Sequence, residues 1–415
     1  MIVVDERYVV ISSDCHAGAS MDAYADYLDP GFRADYEQWR STFQNPFADL
    51  VDTESRDYRR NFDNAIRQAD LEGDGIVGEV IFPNTVPPFF SGALLFNGPD
   101  VTSKRELEQR WAGLHAHNRW LADFCAELPG RRAGVAQVLL EDVDRALDEI
   151  RWIREQPGLF GGVLVPNPNA DSKSVAPLHA PDYEPLWALL EELGLPMSIH
   201  GGPGGPDLGA YPSTPMMMFL EFGWYAQRPL VRLVFSGALE RHPNLTVILT
   251  ETGNRWVPAT LDELDGYYDR VMNGRPESVE AHFGAFVREH LSLRPSEYWA
   301  RQCYLGASFM SRNDRDALPR TGVERVMWGA DYPHTEGTHP YTAEAMRYVF
   351  AGVPHDEVQL LLGKNAARAY GFDWDALATV AADVGPRVSD VDEPLSEVEV
   401  PDAALTMALR EGAPA

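Results

Sequence analysis

The sequence predicts an α/β protein: a (β/α)8 TIM barrel with long insertions in the βα loops on its C-terminal face. Eight short apolar segments, rich in β-branched residues, recur along the chain, and most are followed by loop-forming residues. Helical patterns lie between these segments, and such alternation produces a parallel sheet. Both faces of the strands are apolar, which favours a closed barrel, although the pattern is also compatible with an open sheet.

The predicted elements follow one another in βα order. The strands are Tyr8–Ser12, Glu79–Phe82, Ala133–Leu140, Gly162–Val165, Leu195–Ile199, Leu245–Thr250, Cys303–Gly306 and Arg325–Trp328. Val143–Glu155 and Tyr183–Leu193 are predicted to be helices because apolar residues recur in them at spacings of three and four. Pro229–Glu240 is predicted to be a helix that leads into strand six, and Leu360–Tyr370 a helix that closes the barrel.

Four connections are too long to be plain βα loops, namely residues 17–70, 85–130, 201–229 and 252–302. Each of them follows a predicted strand, so the additional chain is expected on the C-terminal face, where such barrels carry their active sites. Residues 1–375 are predicted to form the single barrel domain. Residues 376–415 contain acidic clusters and are predicted to form a C-terminal tail.

The composition excludes several classes of partner. The chain has 63 acidic and 35 basic residues, a formal net charge of -28, and such a surface repels nucleic acid and anionic lipid. The N-terminus lacks the basic start and long apolar stretch of a signal peptide, and no window approaches the ~20 apolar residues of a membrane helix. The three cysteines are widely spaced and imply no disulfide framework. A cytoplasmic protein that acts on a small molecule is therefore expected.

Side chains that can bind a metal stand at the ends of four predicted strands. Asp14 and His16 follow strand one, and His200, Glu251 and Asp331 follow strands five, six and eight. Asp14 and His16 are two residues apart on extended chain, so both can point into the barrel mouth. Asp331 is expected beside them because strands one and eight adjoin when a barrel closes. Each residue alone fits a structural cap or turn, but five at four strand ends favour one site.

Two imidazoles with carboxylates suit Zn²⁺, Mn²⁺ or Fe²⁺, and zinc is the ion expected first. Three or four protein ligands leave one coordination position for water or substrate. Asp331 and Glu251 are the predicted catalytic residues, because a carboxylate beside the metal can carry a proton. His334, Trp328 and Arg255 are the predicted substrate contacts: His334 and Trp328 flank Asp331, and Arg255 can pair with a carboxylate.

Several motifs resemble the amidohydrolase superfamily, in particular the branch that includes aminocarboxymuconate semialdehyde decarboxylase and γ-resorcylate decarboxylase. The motifs are Ser13-Asp-Cys-His16, Ser198-Ile-His-Gly-Gly202, Arg241-His-Pro-Asn-Leu245, Trp328-Gly-Ala-Asp-Tyr-Pro-His334 and Lys364-Asn-Ala-Ala-Arg368. The resemblance implies a (β/α)8 barrel, a homodimer and one divalent metal. The metal ligands it implies are Asp14, His16, His200 and Asp331.

The sequence departs from that branch at strand six, where the decarboxylases carry a histidine and this chain has Glu251. We therefore predict a hydrolase that uses metal-activated water on a small cyclic or carboxylated organic molecule, with Glu251 as general base. Glu251 is also compatible with an additional metal ligand or a clamp for a substrate amine or hydroxyl. The alternative function is a non-oxidative decarboxylase of an aromatic or enoic acid, and a third is an inactive barrel used as a binding protein.

Overall fold

The centre of the molecule is one sheet of eight parallel strands that pair with one another in chain order. The computed structural model describes residues 6–44, 52, 55–92 and 99–409. The strands are β1 (Val10–Ala17), β2 (Ile76–Pro83), β3 (Arg132–Gln137), β4 (Gly162–Leu164), β5 (Met197–His200), β6 (Val247–Thr250), β7 (Cys303–Ser308) and β8 (Val326–Gly329).

The sheet closes where the C-terminal ends of β8 and β1 meet. The Asp331 backbone N–H donates to the Asp14 carbonyl at 2.9 Å, and the His16 N–H donates to the Tyr332 carbonyl at 2.6 Å. The Ser12 hydroxyl accepts a further bond from the Ala330 N–H at 2.8 Å. These bonds join the first strand to the chain that leaves the last one, and the prediction of a (β/α)8 barrel is confirmed.

Helices occupy most of the chain between the strands. They are α1 (Met21–Tyr27), α2 (Arg33–Thr42), α3 (Arg56–Arg59), α4 (Asn64–Gly73), α5 (Lys104–Ala126), α6 (Val143–Arg154), α7 (Glu184–Leu193), α8 (Thr214–Phe235), α9 (Ala238–Arg241), α10 (Trp256–Asn273), α11 (Val279–Phe283), α12 (Ala285–His290), α13 (Pro295–Gln302), α14 (Arg312–Thr321), α15 (Thr342–Phe350), α16 (His355–Gln359), α17 (Asn365–Tyr370), α18 (Trp374–Val384) and α19 (Val388–Val391). A π-helical turn, Leu360–Lys364, joins α16 to α17.

Most elements differ from their predicted bounds by a few residues, and two of the differences are considered in turn. β1 extends to Ala17, so Asp14 and His16 lie within the strand, because β2 and the Tyr332 bridge pair with this polar half as well. The predicted helix over Pro229–Glu240 is the end of the much longer α8 followed by the separate α9. Gly237 separates the two helices, because its left-handed backbone, with φ of 74°, cannot continue α8.

The C-terminal helices pack against the barrel. The predicted boundary at residue 375 falls inside α18, whose Leu377 and Ala381 are buried in a cluster with Ile11 of β1 and Val77 of β2. Residues 1–5 and 410–415, at the ends of the predicted domain and tail, lie outside the described residues. Residues 45–51, 53–54 and 93–98, in two of the long connections, also lie outside them. Along the described chain, no helix has the length and apolar character needed to span a membrane.

Candidate active site

Four of the predicted ligands converge at the mouth of the barrel, at the C-terminal ends of the strands. His16 Nε2 lies 3.3 Å from Asp14 Oδ1 and 3.0 Å from Asp331 Oδ1. His200 Nε2 lies 3.5 Å from the same Asp14 oxygen and 3.3 Å from Glu251 Oε2. Apart from Glu251, these residues are at most 3% exposed. The structure thus brings Asp14, His16, His200, Glu251 and Asp331 into one cluster.

Unusual backbone geometry directs two of these side chains. Glu251 and Asp331 both have left-handed conformations, with φ of 56° and 55°, which are uncommon for residues other than glycine and occur often at active sites. The Glu251 N–H is held by the Gly306 carbonyl of β7 at 2.9 Å. The residue after His200 must be glycine, because a Cβ on Gly201 would lie 2.6 Å from the Glu251 carbonyl oxygen.

Backbone carbonyls fix the orientation of both imidazoles. His16 Nδ1 lies 3.4 Å from the Pro83 carbonyl oxygen, and His200 Nδ1 lies 2.9 Å from the Gly201 carbonyl oxygen. A carbonyl only accepts hydrogen bonds, so Nδ1 carries a proton in each ring, and Nε2 is the nitrogen that remains for a metal ion. This is the arrangement that metal-binding histidines commonly show.

The fit of the cluster to a metal can be judged from its buried polar atoms. Asp14 Oδ1, His16 Nε2, His200 Nε2 and Asp331 Oδ2 are all buried and make no hydrogen bond among the described residues. A buried polar atom without a partner is costly, so such atoms are rare in folded proteins. Each of the four predicted ligands contributes one, and two nitrogens with two carboxylate oxygens suit a divalent transition metal. The residues therefore fit the predicted ion.

The charges of the cluster perturb one another strongly. Burial raises the pKa of Asp14, but the facing imidazoles outweigh it and hold that pKa below its ordinary value. Burial lowers the pKa of His16, but the carboxylates of Asp14 and Asp331 outweigh it and raise that pKa to about 10. The same negative charge attracts a divalent ion to Nε2, so a proton and an ion compete for this atom. Burial, followed by the charges of Asp331 and Asp14, raises the pKa of Glu251 well above its ordinary value.

A chain of hydrogen bonds leads from Asp331 across the mouth. His334 Nδ1 lies 2.8 Å from Asp331 Oδ1, and His334 Nε2 lies 3.0 Å from Asn84 Oδ1. The Asn84 amide donates to Asn61 Oδ1 at 2.6 Å, and the Asn61 amide donates to the Tyr58 carbonyl at 2.8 Å. Because the Tyr58 carbonyl can only accept, it sets the direction of every bond that follows. His334 Nε2 must therefore carry a proton, which it donates to Asn84.

Because its Nε2 carries a proton, His334 is a poorer candidate metal ligand than His16 or His200. Geometry alone allows two overlapping ligand sets, Asp14–His16–His200–Glu251 and His16–Asp331–His334. Both ring nitrogens of His334 already have hydrogen-bond partners, whereas Nε2 of His16 and of His200 has none in the part of the chain that the structure describes. The His334 ring stacks on His16, with centroids 4.2 Å apart, and so forms one wall of the cluster.

Two predicted substrate contacts do not join the cluster. Trp328 is 1% exposed and packs in the hydrophobic core between the barrel wall and the helices, because alternation along β8 turns its side chain outward. Arg255 is exposed at the start of α10. Conversely, Asn84 and Ser308 were not among the predicted site residues. The Ser308 hydroxyl donates a hydrogen bond to Asp14 Oδ2. Asn84 follows β2 and Ser308 ends β7, so both stand at the mouth of the barrel. This position at a strand end is the signal that could have indicated them.

Comparison with known proteins identifies the family. A model of the amidohydrolase family matches residues 84–372, more than half of the chain, and the chain belongs to this family of enzymes. γ-Resorcylate decarboxylase of Rhodococcus jostii (strain RHA1) is 28% identical over 293 residues, which are 68% of this chain and 83% of that enzyme. γ-Resorcylate decarboxylase of Rhizobium sp. (strain MTP-10005) is 26% identical over 252 residues, 59% of this chain and 73% of that enzyme. The predicted resemblance is confirmed.

Solved structures share the fold. The 5-carboxyvanillate decarboxylase of Sphingomonas paucimobilis has a TM-score of 0.61 and 20% identity, covering 88% of this chain and 99% of that one. The dihydroxybenzoic acid decarboxylase of Polaromonas sp. JS666 has a TM-score of 0.56 and 18% identity, covering 87% and 96%, and holds manganese with the inhibitor 2-nitroresorcinol. At these identities the likeness concerns the fold alone.

The comparisons correct the predicted reaction. We expected a hydrolase because Glu251 replaces the strand-six histidine of the decarboxylases, but the curated relatives are decarboxylases. The prediction of a hydrolase was wrong, and the decarboxylase that stood as the alternative is the better supported function. The substitution at strand six does not exclude decarboxylation, because one changed side chain does not remove the proton-carrying groups that follow the other strands.

Proposed function

We propose that this chain is a metal-dependent carboxy-lyase that releases CO₂ from a small aromatic or enoic carboxylic acid without oxidation. The observation that carries the proposal is the position of Asp331. This one carboxylate belongs to the set of buried ligand atoms and also hydrogen-bonds His334, whose other nitrogen holds a proton. A metal-binding group that is paired with a proton carrier suits a reaction in which a carboxylate leaves and a proton takes its place.

In this proposal Asp14, His16, His200 and Asp331 hold one divalent ion. Manganese is the ion to test first, because it is present in the structures of the Polaromonas enzyme and of the 5-carboxyvanillate decarboxylase of Novosphingobium aromaticivorans. Zinc, which the ligand chemistry also accepts, is the second. A bound ion would supply Lewis acidity toward the carboxylate and neighbouring oxygen of the substrate.

The chain's own residues supply the proton. Decarboxylation breaks the bond between the substrate carbon and its carboxylate, leaves the electron pair on that carbon, releases CO₂ and consumes one proton. In our proposal the proton passes from His334 Nδ1 through Asp331 to the substrate carbon, so Asp331 is a carboxylate before and after the step. The Nε2 proton stays in place because the Asn84 oxygen accepts it. Solvent then restores the proton on Nδ1, since the His334 side chain is 26% exposed.

Glu251 lines the mouth beside His200. Its side chain is 24% exposed and its carboxyl group lies 3.3 Å from His200 Nε2, so it borders both the ligand cluster and the open mouth. We propose that it hydrogen-bonds an oxygen of the substrate and orients the carboxylate for departure. It thereby takes the place, though not the chemistry, of the strand-six histidine in the decarboxylase branch.

A substrate panel tests the function directly. The chain is stripped with a chelator, reloaded with Mn²⁺ or Zn²⁺, and incubated with 2,6-dihydroxybenzoate, 5-carboxyvanillate and other hydroxylated benzoates and enoic acids. We expect CO₂ release with at least one of these acids and none from the stripped protein. Absence of CO₂ from every acid, with one metal bound per chain, would overturn the proposal.

Replacing Glu251 with glutamine separates orientation from metal binding. The amide keeps the size of the side chain but changes its hydrogen bonds, so we expect kcat for CO₂ release to fall by about 100-fold, the low end of what one positioned hydrogen-bonding group contributes. Metal stoichiometry, measured by mass spectrometry of the elements, should stay at one. Unchanged turnover in the glutamine variant would remove Glu251 from the mechanism.

Replacing Asn84 with alanine tests the hydrogen-bond chain. The alanine no longer accepts from His334 Nε2, so the ring is free to rotate and to change its protonated nitrogen. We expect kcat to fall by about 10-fold or more, as for other groups that orient catalytic side chains, with KM and metal content nearly unchanged. The matched control is Asn273→Ala, at an exposed position at the end of α10. A change in KM without a change in kcat would contradict a positioning role.

A further inference from the structure

Three ionised side chains form a buried cluster between α4 and the strands β2 and β3. Arg67 of α4 donates from Nε and Nη2 to the Glu79 carboxylate of β2, at 2.9 Å and 2.5 Å from Oε2. Arg132 of β3 donates from Nε to the same carboxylate at 3.0 Å. All three side chains are at most 5% exposed. Ionised groups are costly to bury, so such a cluster is weak evidence for stability and calls for another explanation.

Arg67 spends its other donors on the backbone. Two guanidinium groups share one carboxylate, so the cluster holds one more positive charge than Glu79 neutralises. Arg67 Nη1 donates to the His16 carbonyl at 2.8 Å and to the Arg60 carbonyl at 3.2 Å. The additional buried charge therefore reaches the peptide group of a predicted metal ligand.

The His16 carbonyl needs this donor because the sheet does not supply one. The His16 N–H donates to the Tyr332 carbonyl at 2.6 Å. In a parallel ladder the carbonyl of the same residue would accept from the N–H two positions after Tyr332, which belongs to His334. The His334 N–H donates instead to the Asp331 carbonyl at 2.9 Å. Arg67 thus supplies the bond that the ladder lacks where β1 meets the chain that leaves β8.

The same guanidinium contacts two further segments of the mouth. Arg67 Cζ lies 4.9 Å from the centroid of the Tyr332 ring, a favourable contact between a cation and an aromatic face. Tyr332 directly follows the predicted ligand Asp331. Arg60, whose carbonyl accepts from Arg67, directly precedes Asn61 of the hydrogen-bond chain across the mouth. One buried side chain therefore contacts three segments that carry residues of the candidate active site.

We propose that Arg67 is a positioning residue, which holds the backbone of His16 and Asp331 in place for one metal ion. The inference rests on the proposed function, because it presupposes that ion. Glu79 fixes the guanidinium, and the guanidinium fixes the His16 peptide group and the Tyr332 ring. Groups that orient metal ligands typically account for about 10- to 100-fold in metal affinity.

Binding of Mn²⁺ tests this role without turnover, since the electron paramagnetic resonance signal of the free ion reports its dissociation constant. Arg67→Met leaves Glu79 paired with Arg132, and Arg67→Lys keeps the charge but not the fork of donors. We expect each variant to raise the dissociation constant by about 10- to 100-fold. The spin-echo modulation that the imidazole nitrogens impose on the bound ion should also change, because it reports how the histidines meet the ion.

Arg131→Lys is the matched control. Arg131 also pairs with a carboxylate, that of Glu72 at 2.7 Å, and donates to a strand carbonyl, that of Val77 at 2.8 Å. Val77 lies near the start of β2, at the end of the barrel away from the mouth. We expect the control to keep the wild-type affinity for Mn²⁺. Circular dichroism and the free energy of unfolding, measured for every variant without metal, separate metal affinity from stability.

Two results would overturn the role of Arg67. One is Mn²⁺ affinity of both Arg67 variants within about 3-fold of the wild type. The other is an equal loss of affinity in Arg131→Lys, which would attribute the effect to a general loss of stability. A wild type that binds no Mn²⁺ would overturn the proposed metal site and this inference together. Absence of CO₂ release with the expected Mn²⁺ affinities would contradict the decarboxylation alone, so the two failures are distinguishable.

Discussion

Replacing His200 with alanine is expected to abolish metal binding and, with it, CO₂ release. In the ligand cluster, His200 contributes one of the two imidazole nitrogens that are buried without a hydrogen-bond partner among the described residues, and its Nδ1 already bonds the Gly201 carbonyl. Without this nitrogen the carboxylates of Asp14 and Asp331 have only His16 to share an ion with. We expect metal affinity to fall by at least about 1,000-fold, since metal binding depends on every ligand of the set.

Metal content after gel filtration, measured by elemental mass spectrometry, checks this expectation. It should fall from about one ion per chain to below about one-tenth, given the loss of one ligand in four. His282→Ala is the matched control, because His282 is an exposed histidine of α11 that belongs to neither candidate ligand set. A His200→Ala variant that keeps one ion per chain would show that the ion is bound elsewhere.

Replacing Asp331 with asparagine is expected to have the second large effect. The amide keeps the shape of the carboxyl group and can still contact His16 and His334, but it cannot deliver a proton to carbon. Positioned proton donors contribute about 10²- to 10⁴-fold, so we expect kcat to fall by about 1,000-fold at saturating metal. The loss should fall on kcat, because the variant can still bind the substrate.

Binding of 2-nitroresorcinol, the inhibitor held by the Polaromonas enzyme, reports on the site without turnover. We expect Asp331→Asn to bind this compound within about 10-fold of the wild type, less than 1.4 kcal/mol. Asp375→Asn, at an exposed position of α18, is the matched control. Turnover of Asp331→Asn within 10-fold of the wild type would exclude Asp331 as the proton donor.

The barrel and the convergence of the four predicted ligands could be predicted because both depend on local pattern and chain order. Apolar segments mark strands, and the end of a parallel strand defines which rim of the barrel a residue reaches. Asp331 could be placed beside His16 from connectivity alone, since the last strand of a closed barrel returns to the first. The observed hydrogen bond between the Asp331 N–H and the Asp14 carbonyl is that closure.

The substrate contacts were harder to predict because they depend on side-chain direction. Trp328 and Met327 are neighbours on β8, yet one packs outward and the other inward, and shifting the strand by one residue exchanges them. Asn61 lies in a long insertion, and no sequence spacing links it to Asn84 or His334. That hydrogen-bond chain exists only after three βα loops fold over the same mouth.

The N-terminal part of α8 escaped prediction for a different reason. Residues 214–228 lay within the predicted connection 201–229, and Met216-Met-Met-Phe-Leu220 has no amphipathic period. Such a period arises when a helix has one buried and one exposed face. A helical segment that is apolar on all sides lacks this contrast, so its sequence pattern does not distinguish it from an irregular connection.

The proposed decarboxylation is tested most directly by following both products of one turnover. The manganese-loaded chain is incubated in D₂O with a hydroxylated benzoate whose carboxyl carbon is ¹³C, and the gas and the aromatic product are analysed by mass spectrometry. If the chain is a decarboxylase, one ¹³CO₂ is released and one deuterium is gained at the vacated carbon. Both signals should be lost in Asp331→Asn. A product that retains the ¹³C label and instead gains the elements of water would contradict the proposed decarboxylation.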